Sequence, residues 1–189
     1  MCAESAKHTL LAEFVPAKGD DAYAVKRLTQ HLLWVGHPEF RFQADGEPAI
    51  QSLRLAVTAR LQEAKVRVTP DTAPKGDSNS NPWAESAVAR VKARARILWH
   101  WATETHGVKP ATSSDLIPWC VKYSAQLIQL THVGSDGMTA YRRVTGRREF
   151  VRPLVPWGCK VMYIPGGAKS KANLEKWLEG VFVGFTEKT

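Results

Sequence analysis

Asp45 and Glu85 are the two side chains whose settings best suit chemistry. Asp45 closes a stretch in which Phe40, Phe42 and Ala44 alternate with Arg41 and Gln43. Alternation of that kind predicts a strand, so Asp45 stands at a strand's end. Glu85 follows a polar stretch and opens a long run with apolar residues at helical spacing. A carboxylate at a strand's end and another in a helix's first turn can share divalent cations. Hard cations such as Mg²⁺ take oxygen ligands and keep waters for substrate phosphates. Two such ions can activate an attacking oxygen and stabilise a leaving one on phosphorus. Each acid also has an ordinary explanation: Asp-Gly is a common turn, and a helix macrodipole favours Glu in the first turn.

Cations accompany Glu85. At 100° per residue, Glu85, Ala89, Lys92 and Arg96 fall on one side of the predicted helix. Metal for a scissile phosphate, with Lys and Arg for its neighbours, suits a site that acts on DNA; Glu ahead of Lys or Arg also stabilises a solvated helix face. Between Tyr141 and Lys160 lie Arg142, Arg143, Arg147, Arg148, Arg152 and Lys160 against one acid, Glu149. This cluster could bind phosphates or form a solvated basic loop. The 189 residues hold 26 Lys and Arg against 18 Asp and Glu, a net charge of +8. Residues 1–50 carry five basic and seven acidic side chains, which leaves +10 for the other 139. So uneven a charge favours a polyanionic partner.

Other chemistries find little support. Cys2, Cys120 and Cys159 are far apart and odd in number, which predicts neither a disulfide framework nor a zinc knuckle. A reducing compartment follows, in the nucleus or cytoplasm. His8, His31 and His37 lack zinc-ligand spacing and read as surface or packing residues. No apolar stretch reaches 18 residues, so no membrane span is expected. The first residues lack the basic and apolar segments of a signal peptide.

The elements that must position the two acids can be read in order. Thr9 to Val15 is a buried strand closed by Pro16, with nothing before it long enough for another. Lys18 to Asp21 turns and caps a helix marked by Ala22, Val25, Leu28 and Leu32, which Gly36 stops. The Asp45 strand follows. Gly46-Glu47-Pro48 breaks it before a helix through Ile50, Leu53, Val57 and Leu61, then a short strand at Val66 to Val68. Thr69 to Pro82 is a polar loop, long enough to be functional. A long helix carries Ala84, Val88, Val91, Ala95, Leu98 and Ala102 on one face, and another runs from Leu116 to Leu130. Two β-rich segments, Trp157 to Ile164 and Gly180 to Phe185, end the chain. The whole predicts an α/β fold: a mixed sheet flanked by helices over residues 1–150, and a small barrel-like segment over 151–189.

Several segments carry a family likeness. Phe42-Gln43-Ala44-Asp45-Gly46 resembles a strand and Asp turn of retrotransposon integrases of the copia type. Ser80-Asn81-Pro82-Trp83-Ala84-Glu85 is similar to their Ser-Asn-Gly-x-Ala-Glu segment. Trp157-Gly158-Cys159 and Gly180-Val181-Phe182-Val183-Gly184-Phe185 resemble motifs of the small barrel after such cores. Thr139-Ala140-Tyr141 with Gly146-Arg147 resembles the segment just before that barrel. The resemblance implies a ribonuclease H-like fold with an Asp–Asp–Glu triad holding Mg²⁺ or Mn²⁺. It implies processing of element DNA ends, strand transfer into target DNA, and action as a homo-oligomer. Asp45 would be the second acid and Glu85 the third, with Asn81 and Lys92 contacting DNA. The sequence departs from the pattern at three points, one being that the zinc-binding His/Cys module that commonly precedes such cores is not found. No residue matches the first Asp, so the core reads as N-terminally truncated, and Pro82 replaces a Gly. Catalysis is therefore open. The chain is either an integrase-like polynucleotidyl transferase weakened by the missing acid, or a non-catalytic nucleic-acid-binding remnant. A nuclease of the same fold fits the barrel-like tail less well.

Overall fold

The computed structural model describes residues 2–4, 7–72, 82–106, 115–146, 148–164 and 177–186. Its centre is a short strand. The apolar run from Thr9 forms β2 (Leu10–Ala12), buried throughout. It pairs antiparallel with β1 (Cys2–Glu4), with Ala3 opposite Leu11. β1 corrects the expectation that nothing before Thr9 is long enough for a strand: three residues carry no periodicity, yet they pair once β2 supplies a neighbour. Side chains alternate across a strand. Leu11 accordingly enters one core, while Leu10 and Ala12 enter another. Helices cover both faces.

On the Leu11 side lie α1 (Ala22–Val35) and α2 (Pro48–Glu63), with Ala24, Val25, Leu28, Leu53, Val57 and Leu61 in the core. The expected caps of α1 form as read. Asp21 Oδ1 accepts from the Tyr23 and Ala24 amides at 3.0 and 3.1 Å. Gly36 ends the helix at φ +72°, a conformation glycine adopts without strain.

Helix α2 is the crossover between two parallel strands, β3 (Glu39–Ala44) and β4 (Arg67–Thr72). Parallel strands need such a connection. β4 corrects the expected loop boundary: Thr69 to Thr72 pair with Arg41 to Ala44. Pro70 reads as a breaker, yet proline fits an edge strand because no ladder bond needs its missing N–H. The described residues form three separate two-stranded ladders rather than the single mixed sheet expected. The coarser expectation, an α/β fold with helices on both faces of strands, holds.

On the Leu10 side lie α3 (Pro82–His106) and α4 (Leu116–Thr131). Ala87 and Val91 of α3 meet Ala125 and Ile128 of α4 over Leu10 and Ala12. Gln129 Nε2 donates to the Leu10 carbonyl at 2.9 Å, satisfying a buried strand acceptor. Helix α5 (Ala140–Val144) follows, capped by Thr139, whose Oγ1 accepts from the Arg142 amide.

Past residue 150 the chain packs onto α3 and α4. Trp157 is buried and stacks on Trp99, centroids 5.8 Å apart. Tyr123 donates to the Val155 carbonyl at 2.5 Å. The final ladder pairs β5 (Lys160–Tyr163) antiparallel with β6 (Leu178–Val181). After it, Phe182 and Phe185 lie against Tyr123, and Gln126 bonds both the carbonyl and the amide of Phe185.

Candidate functional site

Asp45 follows the last residue of β3. Ala44 is buried and Asp45 is exposed, as strand alternation requires. Its backbone carbonyl accepts from Gln51 Nε2. Its carboxylate enters no hydrogen bond or ion pair among the described residues. The next acid, Glu47, caps α2 by position and pairs with Lys18 at 3.1 Å. Parallel pairing puts the ends of β3 and β4 at one edge, with Ala44 opposite Thr72. Ligands of α/β sheets bind beyond the carboxyl ends of parallel strands.

Glu85 is exposed in the first turn of α3, near the positive end of the helix dipole. Its carboxylate is also without a partner among the described residues. Lys92 and Arg96 share its flank, exposed and outside any ion pair there. Arg148 is likewise exposed and outside any ion pair. Asn81 and Arg147 lie outside the described residues.

Arg142, Arg143 and Lys160 of the basic cluster are engaged, Lys160 with Glu179 at 2.7 Å, while Arg152 is exposed and outside any ion pair among the described residues. Arg143 donates from Nε and Nη2 to the two oxygens of Asp136, at 2.8 and 2.5 Å. Its Nη1 donates to the Lys7 carbonyl at 3.4 Å. The guanidinium holds the Asp136 carboxyl well below the usual carboxylate range. Arg142 pairs with Glu149 at 3.5 Å. The three histidines pack against aromatic rings: His8 on Trp83, His31 on Trp34, His37 on Phe40. Burial, with the Lys7 charge, lowers the His37 pKa.

The structure also contains a charged group that sequence reasoning passed over. Glu13 directly follows β2 and is 5% exposed. Its Oε1 accepts from Arg27 Nη2 at 2.7 Å and Nε at 2.9 Å, and lies 3.1 Å from Lys122 Nζ. Tyr23 donates to Oε2 at 3.2 Å. The signal was an acid inside an apolar run. A charge there is tolerable only when paired and hydrogen-bonded. Glu13 ties β2 to α1 and α4.

Asp45 and Glu85 ride on different packing units. The strand of Asp45 packs with α2 in the core that receives Leu11, and the helix of Glu85 packs in the core that receives Leu10 and Ala12. β2 relates the two. Among the described residues, no three His, Cys, Asp or Glu side chains gather where one ion could hold them. Both acids offer hard oxygen donors of the kind Mg²⁺ takes.

Among the described residues no helix is long and apolar enough to cross a membrane. No known protein family matches the chain, and no curated protein matches it. A solved structure, the simian T-cell lymphotropic virus intasome in complex with PP2A regulatory subunit B56 gamma, contains a chain similar to 93% of this one. The identity is 14% and the TM-score 0.47. The alignment covers 58% of that chain, so the present chain spans somewhat over half its length.

Proposed function

We propose that the chain is a retrotransposon integrase-like domain of copia type that acts on DNA ends, with Asp45 and Glu85 as carboxylate ligands for Mg²⁺ or Mn²⁺. One observation carries this. Both acids stand at element ends with carboxylates open to solvent and free of partners among the described residues, whereas Glu13, Asp71 and Asp136 are held by cations. When bound, such an ion polarises a phosphoryl oxygen and activates the attacking one. The chain's own residues do the rest. Lys92 and Arg96, on the Glu85 flank, position flanking phosphates, and Arg148 extends the contact. The antiparallel β5–β6 ladder supports the reading of residues 151–189 as a small β-rich tail. Two acids hold cations less firmly than three, so the chain alone performs little strand transfer.

The test is Mn²⁺ titration by calorimetry, with and without labelled duplex ends, beside a joining assay. Mn²⁺ binding that weakens at least tenfold in both Asp45→Asn and Glu85→Gln is expected. Equal binding in wild type and both variants overturns the assignment. The exposed Lys92, Arg96 and Arg148 favour a second function, metal-independent nucleic-acid binding. It predicts salt-sensitive DNA affinity that chelators and both acid variants leave unchanged.

A further inference from the structure

Helix α3 has a second flank, facing away from Glu85. At roughly 100° per residue, Trp83, Arg90, Arg94, Ile97 and Trp101 fall within an arc of about 60°. That arc lies to one side of the buried stripe of Ala87, Val91 and Ala102, and Glu85, Lys92 and Arg96 lie to the other. Trp83 is 62% exposed, Ile97 61% and Trp101 37%. Trp83 rests on His8 at 5.6 Å, and Trp101 meets His106 edge-on at 6.0 Å. Each indole is thus braced by an imidazole. The rings stand about 27 Å apart along the helix axis, with both arginines between them.

We infer that this flank docks an unpaired nucleic-acid strand. Flat exposed rings seek flat partners and guanidinium groups seek phosphates; a single strand presents both, whereas a duplex hides its base faces. A second copy of this chain is a poor occupant, because a two-fold contact would bring Arg90 and Arg94 against their own equivalents. An acidic peptide would match the positive charge and leave the rings without stacking partners. The +10 carried by residues 51–189 adds long-range attraction for a polyanion. The inference goes beyond the proposed function, since it requires neither Asp45, Glu85 nor a metal.

The test is fluorescence anisotropy of the full chain in EDTA at several salt concentrations. The probes are a labelled 20-nucleotide oligothymidine, a labelled duplex and poly-glutamate. Trp83→Ala and Trp101→Ala should each weaken oligothymidine binding about tenfold, and Trp83→Phe should restore most of it. Arg90→Gln with Arg94→Gln should flatten the salt slope by about 1.4. The assay runs in EDTA and needs no metal, so failure of the metal assignment leaves this result intact. Oligothymidine binding untouched by the Trp83 and arginine variants overturns the inference. So does poly-glutamate binding that needs the arginines but not the rings, or a dimer dispersed by Trp101→Ala with oligothymidine affinity unchanged. Loss of affinity in Trp83→Ala that Trp83→Phe does not restore also overturns it.

Discussion

Arg143 and Asp136 face each other through two parallel bonds, Nε to Oδ2 and Nη2 to Oδ1, across the turn that Val133 and Thr139 close. Gly134 makes the approach feasible, because a Cβ there would collide with Nη2. A guanidinium held by a carboxylate and the Lys7 carbonyl stabilises the turn ahead of α5. Asp136→Asn should therefore lower the urea midpoint at pH 6. The folded carboxyl titrates below its unfolded value of about 4. Its stabilisation is present above that value and fades as pH falls toward the folded one. The gap between wild type and Asp136→Asn should begin to narrow as pH falls below about 4 and go on narrowing with further acidification. A gap independent of pH would contradict the pairing.

Glu13 predicts a larger effect. Glu13→Gln keeps the shape but leaves Arg27 and Lys122 without their counter-charge. Breaking a buried pair costs about 3–5 kcal/mol, and Lys122, nearly a quarter exposed, places the expectation near the lower end. Equilibrium urea unfolding measures it. A loss under 1 kcal/mol would mean that water already solvates the cluster.

Trp157 tests how far the tail belongs to the same core. It is 2% exposed, stacked on Trp99 and clustered with Ala102, Cys120 and Tyr123. Trp157→Ala should cost about 3–5 kcal/mol. Unfolding should remain a single transition seen alike by circular dichroism and fluorescence. An early, separate transition would show that the tail folds by itself.

Cys120 and Cys159 should differ sharply toward thiol reagents. Burial pushes the Cys120 thiol up to about 11. At pH 8 its thiolate fraction falls roughly two orders of magnitude below that of an ordinary thiol near 8.5, and closed packing slows it further. Alkylation followed by peptide mapping should find Cys159, half-buried, modified well before Cys120. The same shift has a stability sign. The protonated thiol favours folding, so its contribution is full below the unfolded value and declines as pH rises toward 11. Burial and the nearby Cys159 push the Tyr123 hydroxyl up to about 12, which adds to alkaline unfolding.

Local signals made much of the fold legible. Asp21 and Gly36 fix the ends of α1, and the apolar spacing fixes α3 and α4. Features that depend on distant partners were hidden. Thr69 to Thr72 resembles a turn until β3 supplies a parallel neighbour. Glu13 reads as misplaced until α1 brings Arg27 and α4 brings Lys122. α5, at five residues, is too short for a periodic signal. For the candidate site, exposure at Asp45 and Glu85 could be read from their element ends. Their relation through β2 could not, because it depends on which neighbours claim each face of that strand. Nor did the run of cations show that Arg143 is bound seven residues back, to Asp136.

Leu10, Leu11 and Ala12 divide their side chains between two hydrophobic interiors, and Glu13 continues the same backbone toward Arg27 and Lys122. Inserting or deleting one residue here would rotate everything downstream by half a turn of the pleat. Leucine would trade places with its neighbour, and the carboxylate would swing away from both cations. Length at this point is therefore as tightly constrained as composition, and a later point substitution could not repair the frame.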